Sequence, residues 1–325
     1  MTDMRAGIAA LSTRLERLSD PRDAAELMHL LRLLYAAGRA DLPMGRLFEG
    51  HVDALQIVTR YGDERQRVGL AEAVAEGALL GVWNADLPDD PLRREGMVLH
   101  GGKSFASGAG ILSHALVTFD AAGGRQLALV DLERTPPAID RGWWHTIGMQ
   151  RSETHLVRWQ GGVIQADDLI GAPGDYVREP WFSGGALRFA AVQAGGIAAL
   201  VDRTSAHLVA TGRAADPHQA TRLAALFAHA EAASAAVRRA AEAWFDEGEA
   251  TTRALIAAAR ASVYANADAA LTLAQQAVGV QGMFTGHPLA AVLSDLAVYL
   301  RQPAPDAQRM QVAAALAAGH IGAAL

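Results

Sequence analysis

Several residue groups in this chain have the makings of chemistry, and their spacing sorts them. Gly101-Gly102-Lys103-Ser104 ends like a phosphate-binding loop. That loop needs an opening glycine six residues before its lysine and a helix after it. Gly96 stands one residue too early and the flanking segments read as strands, so that chemistry is rejected. Gly108-Ala109-Gly110 is half of a dinucleotide fingerprint, without the third glycine or the strand-helix-strand setting. The 11 histidines show no HExxH spacing, so no metal centre is expected. No GxSxG elbow is present to carry a hydrolase triad. Cysteine is absent, which removes thiolate nucleophiles, thiolate metal sites and disulfides.

The elements that must position any remaining chemistry fall into three blocks. Residues 1–80 read as helix: Leu27, Leu30, Leu31 and Leu34 repeat at helical spacing, Gly38 reads as a stop, and Tyr61-Gly62-Asp63 as a break. Residues 81–180 turn to glycine, proline and alternating apolar residues. Met97 to His100 is a short strand closed by Gly101-Gly102. Ala115–Phe119 and Leu127–Asp131 flank Ala122-Gly123-Gly124 as a hairpin; Leu156–Trp159 and Val163–Gln165, joined through Gly161-Gly162, read as another. Residues 181–325 return to long alanine-rich helices over 186–207, 217–245 and 249–278, with Pro288 opening a further one. The fold class is α+β.

Apolar residues make up 51% of the 325 and charged residues 20%, which excludes a disordered chain. A net charge of −6 argues against nucleic acid as a partner. The start of the chain reads as amphipathic rather than as a signal peptide. The strongest apolar run, near 189–201, is too short to span a bilayer and is broken by Gln193, Gly195 and Gly196. A soluble, cytoplasmic protein with no membrane partner is expected.

One ordered set of segments carries more than any single motif. Gly81-Val82-Trp83-Asn84-Ala85-Asp86 comes first, then Gly102-Lys103-Ser104-Phe105-Ala106-Ser107-Gly108, then Gly148 to Thr154, then 163–171. Gln276-Ala277-Val278-Gly279-Val280-Gln281-Gly282 follows, with Thr285, Pro288 and Asp295 beyond it. In the order helix, β segment, long helices, the chain resembles the acyl-CoA dehydrogenase family of flavoproteins over about residues 45–315. The resemblance implies an N-terminal helical domain, shortened here, a middle β-domain and a C-terminal bundle, with FAD as cofactor.

Residue by residue, the resemblance places Trp83, Asn84 and Ala85 along the isoalloxazine and packs Phe105 on the ring. It sets the Ser107 hydroxyl at the flavin edge. An aromatic plane and a small hydroxyl suit that task. Taken alone, Trp83 and Phe105 read as core aromatics; beside Gly102-Lys103, in this order, they read as ring residues. Gln276, Gly279 and Gly282 match a turn that approaches the ADP part of a flavin on a neighbouring subunit, although Val280 stands where the second glycine of the pair belongs. Arg213 resembles an arginine reaching the pyrophosphate across a dimer; its bland alternative is a solvated helix-end arginine. Arg188 is placed at the substrate.

The family's catalytic carboxylate has no counterpart. Counting forward from Asp295 lands on Pro303, counting back from Gln308-Arg309 lands on Gln302, and the alternative position before Arg188 is Leu187. The catalytic residue is therefore unassigned. The expected activity is FAD-dependent oxidation of a small or carrier-bound metabolite by hydride transfer. Its rivals are a flavin monooxygenase of the same fold and a non-catalytic degenerate subunit. Close helix packing through alanine leads to an expected homodimer or homotetramer, and the family to a flavoprotein electron acceptor.

Overall fold

The structure is a computed structural model that describes residues 3–15, 20–301 and 305–323. The chain divides into two compact units. The first comprises residues 1–21, 47–145 and 150–178, and the second residues 22–46, 146–149 and 179–325. The N-terminal helices are divided between the two units. Helix α2 (Ala24–Ala40) is counted with the C-terminal helices, whereas α1 (Met4–Ser12), residues 47–61 of α3 (Leu42–Tyr61) and α4 (Glu64–Ala75) are counted with the strands.

In the first unit, the break at Tyr61-Gly62-Asp63 has a physical cause. Asp63 caps α4 by accepting from the Gln66 N–H, and the Gln66 side chain returns the bond to the Asp63 backbone. Two four-stranded sheets follow. One has the order β1 (Leu80–Trp83), β4 (His114–Ala121), β5 (Gly124–Asp131), β8 (Leu169–Ile170); β1 lies parallel to β4 and the other pairs are antiparallel. The other is antiparallel throughout, in the order β2 (Arg93–Glu95), β3 (Val98–Ala106), β7 (His155–Val163), β6 (Ala138–Asp140). Ala54, Ile57, Val58 and Leu70 of the helices cover Leu80, Leu116, Leu127 and Ile170 of the first sheet. Trp83 and Trp159 join the sheets, with ring centroids 6.3 Å apart.

The β4–β5 hairpin forms where the alternation places it. The second expected hairpin does not. Strand β7 runs unbroken from His155 to Val163, because β3 and β6 flank it and hold both its edges. Leu99 pairs with Gly162 and His100 with Gln160, so Gly161 is an extra residue in a bulge; its φ of 98° is the left-handed conformation that glycine alone adopts freely. Strand β3 likewise does not stop at Gly101-Gly102 but continues to Ala106, paired with β7.

The second unit is helical: α2, α5 (Trp181–Ala210), α6 (Pro217–Asp246), α7 (Glu249–Val278), α8 (Pro288–Tyr299) and α9 (Pro305–Ala317). Gly38 is not a helix stop. It lies inside α2 against α5, where a Cβ would sit 2.1 Å from the Val192 carbonyl oxygen. Gly195 faces it in the same way, its Cβ position 2.1 Å from the Tyr35 carbonyl oxygen. The two glycines let the backbones of α2 and α5 touch. Arg39 and Asp202 close the contact with a bidentate ion pair, both bonds 2.7 Å. Helix α5 exceeds the apolar run read from the sequence. Its 30 residues are long and apolar enough to cross a membrane, but 78% of its most apolar window is buried inside the structure.

Candidate functional site

The first unit brings five of the sequence-selected residues together at the ends of β1 and β3. Trp83 is 1% exposed and its indole N–H donates to the Ser107 carbonyl at 2.9 Å. Its ring lies in the inter-sheet core, so what it offers a ligand is the backbone it anchors. Asn84 follows at the exposed end of β1, and its side-chain oxygen accepts from the Thr118 hydroxyl at 2.9 Å. Ala85 holds Ser104 through its carbonyl, which accepts the Ser104 N–H at 2.9 Å.

Phe105 behaves differently from a core aromatic. It is 44% exposed, and its backbone φ is 51°, a strained conformation for a bulky residue. Its ring meets Trp143 edge-on at 4.9 Å and Trp144 at 6.4 Å. Ser107 is 9% exposed, and its Oγ accepts from Thr154 Oγ1 at 3.0 Å. Glu153, next to Thr154, also has a positive φ, of 44°. Two of the three strained non-glycine residues among those described therefore flank this one corner.

Beneath the site lies a charged group whose partners the sequence did not reveal. Lys103 is fully buried. Its three ammonium protons go to Asp86 Oδ1 at 2.6 Å, Thr118 Oγ1 at 2.9 Å and the Asn84 carbonyl at 3.1 Å. Arg125 reaches the other Asp86 oxygen at 2.5 Å and the Asn84 carbonyl at 3.0 Å. Burial pulls the lysine pKa down to about 8, against the opposing pull of Asp86. Burial pushes the Asp86 carboxyl up, but the bonds from Lys103 and Arg125 outweigh it and hold the pKa below its ordinary value. The network ties β1, β3, β4 and β5 together under Asn84.

The other selected residues belong to the second unit. Arg188 is buried in α5 near Trp244, which packs against Gly184. Arg213 is exposed just after α5, where its N–H caps the Leu208 carbonyl at 2.8 Å. Gln276 and Gly279 are exposed at the end of α7; Gly279 has φ 75° and Gly282 is buried against Leu289 and Val278. Val280, in place of a glycine, is 72% exposed and adopts no left-handed backbone, so the substitution costs no strain. Asp295, the last residue of the ordered set, accepts the Met149 N–H at 2.5 Å and holds that segment on α8. Leu187 is a buried apolar residue, while Gln302 and Pro303 lie outside the described residues. No cluster of three metal-ligating side chains exists among the described residues.

A flavin ring needs an exposed aromatic face, a nearby hydroxyl donor and backbone edges for its polar rim. Phe105, Ser107 and the Asn84–Ala85 backbone supply these types in one place, so the residues present fit the group. Ser152 and Thr154, the hydroxyl pair behind Ser107, belong to the ordered segment 148–154, but the sequence assigns them no role; their Ser-x-Thr spacing is the signal that marks them.

No family model matches the chain, and no curated protein matches it. Solved structures do. TdsC from Paenibacillus sp. A11-2, in complex with FMN and indole, superposes with a TM-score of 0.77 at 18% identity, covering 89% of this chain and 83% of that one. KijD3, in complex with FMN and an amino-keto-deoxysugar nucleotide, gives 0.75 at 23% identity, covering 91% and 80%. Butyryl-CoA dehydrogenase from Megasphaera elsdenii gives 0.73 at 16% identity, covering 98% and 99%. The chain has the acyl-CoA dehydrogenase fold.

Proposed function

We propose that this chain is an FAD-dependent oxidoreductase acting on a small or carrier-bound metabolite by hydride transfer. The observation that carries the reading is Phe105: an exposed aromatic held at φ 51° beside Ser107, in a fold that binds FMN in TdsC and KijD3. Strain of about 1–3 kcal/mol at such a residue persists only where the surroundings impose it, and it gathers at ligand sites. When bound, the flavin supplies a two-electron acceptor. Phe105 covers one ring face, Ser107 donates to the ring edge, and the Lys103–Asp86–Arg125 network fixes the strand ends that carry both. FAD rather than FMN is favoured by the turn Gln276–Gly282 and by Arg213, which suit an ADP moiety.

Purified protein is expected to be yellow and to release FAD on denaturation, identified by chromatography. Phe105→Gly is expected to weaken FAD binding about 3- to 10-fold through the lost ring contact. The same substitution leaves the flavin-free protein as stable as before or more so, because glycine relieves the positive φ. Unchanged affinity with lowered stability would make Phe105 a core aromatic and remove the carrying observation. A colourless protein that takes up no flavin would favour the non-catalytic reading.

A monooxygenase is the second reading, favoured by the likeness to dibenzothiophene monooxygenase (TdsC) and by the lack of an acid at the expected base position. Oxygen uptake in the presence of reduced flavin separates the two. The proposal extends to a cytoplasmic homodimer or homotetramer served by a flavoprotein electron acceptor. Alanine-rich α6 and α7, and Phe227 and Val209 at 56% and 66% exposure, support inter-subunit contact. Light scattering at micromolar concentration is expected to give at least a dimer; a monomer contradicts the assembly.

A further inference from the structure

Ser152, Thr154 and Ser107 form a row of three buried hydroxyls, 1%, 2% and 9% exposed. Ser152 Oγ and Thr154 Oγ1 are 2.7 Å apart, and Thr154 Oγ1 donates to Ser107 Oγ at 3.0 Å. A hydroxyl has one proton to give and two lone pairs to receive with. Thr154 gives its proton to Ser107, so in the pair with Ser152 it is the acceptor and Ser152 the donor. The row therefore points one way, from Ser152 through Thr154 to Ser107.

Everything else about Ser107 is fixed. Its carbonyl accepts from the Trp83 indole, its N–H donates to the Phe105 carbonyl at 2.9 Å, and the next N–H, of Gly108, donates to the Ser152 carbonyl at 2.8 Å. With one lone pair of its Oγ taken by Thr154, the Ser107 hydroxyl keeps its own proton and one lone pair for a ligand.

We propose that Thr154 is a positioning residue: by donating to Ser107 Oγ it shifts that hydroxyl toward donating to the flavin edge. The inference rests on the flavin reading above. It goes further in assigning a role to a residue that does not itself reach the ring. A hydroxyl free to rotate presents its lone pairs to the ligand for part of the time. One that accepts from Thr154 has a lone pair fewer to present and offers its proton more of the time, a pre-organisation that favours an electron-rich acceptor.

The test is a double-mutant cycle on FAD affinity, with the flavin reduction potential, read by dye equilibration, as a second readout. Thr154→Val keeps the shape and removes the donor. It is expected to weaken FAD binding about 3- to 10-fold, the range for one neutral hydrogen bond, and to lower the potential of the bound flavin. Thr154→Ser is expected to restore both. In a Ser107→Ala background, Thr154→Val is expected to change neither. If wild-type protein binds FAD and Thr154→Val binds it equally, the positioning role is overturned while the flavin reading stands. If Thr154→Val has the same effect with or without the Ser107 hydroxyl, its role is packing and the proposal fails. A wild-type protein that binds no flavin overturns both.

Discussion

Lys103→Met is expected to destabilise the protein by about 3–5 kcal/mol, the usual cost of breaking a buried, fully hydrogen-bonded ion pair from one side. The side chain is 0% exposed and all three of its protons are used. Methionine fills the volume but leaves Asp86 Oδ1 without its donor, while the Asn84 carbonyl keeps its bond from Arg125. Asp86 keeps Arg125, which places the loss toward the lower end of the range. Urea midpoints at neutral pH measure it; a loss under about 1 kcal/mol would show that the network reorganises around the gap. The pH dependence gives a second signature. Burial lowers the lysine pKa from 10.5 to about 8. Between those values the unfolded chain holds a proton that the folded chain has released. Stability therefore rises as pH climbs through this window, by up to about 3 kcal/mol, while below pH 8 the burial cost is present in full. The methionine variant lacks this rise.

Ordinary fatty acyl-CoA thioesters are expected not to bleach the flavin-loaded protein. Their desaturation removes a weakly acidic α-proton as hydride leaves the β-carbon, so a positioned base is required. Losing one costs about 10²- to 10⁴-fold in rate. Neither Gln302 nor Pro303 is an acid by sequence, and Leu187 is a buried apolar side chain. Asp306 is the nearest acid in sequence. It stands in the first turn of α9, 88% exposed and paired with Arg309 at 3.1 Å. A substrate whose oxidised carbon carries an amine or hydroxyl avoids the difficulty, because its heteroatom proton leaves more readily. The assay is a panel of acyl-CoAs of varied chain length with an artificial electron acceptor. Rapid bleaching by any of them, unaffected by Asp306→Ala, would mean that another group serves as base.

The long periodic elements were legible from sequence because their signals are local. Pro217 opens α6 behind the Asp216 cap, Gly279 ends α7, and Pro288 opens α8. What misled was glycine. Gly38 and Gly161-Gly162 carry a turn signal in sequence, but one is used for contact with α5 and the others for a bulge within β7. A neighbour distant in sequence decides between these uses, and no local window contains it. The site was legible to the same extent. Residue types on β1 and β3 placed Phe105 and Ser107, whereas the Lys103 network and the Ser152–Thr154 pair depend on strand register, which fixes which side chains face each other.

The contact of α2 with α5 carries a consequence for synthesis. A ribosome delivers α2 before α5: Val192, against which Gly38 packs, and Asp202, which pairs with Arg39, lie some 150 residues further on. At about 5–20 residues per second, the interval is on the order of ten seconds. The first unit's residues from 47 through 178 are made in that interval. Throughout it, Leu27, Leu30, Leu31 and Leu34, all buried in the finished protein, have no partner helix to cover them. The nascent chain therefore carries a bare leucine stripe, a natural substrate for holding chaperones until α5 emerges.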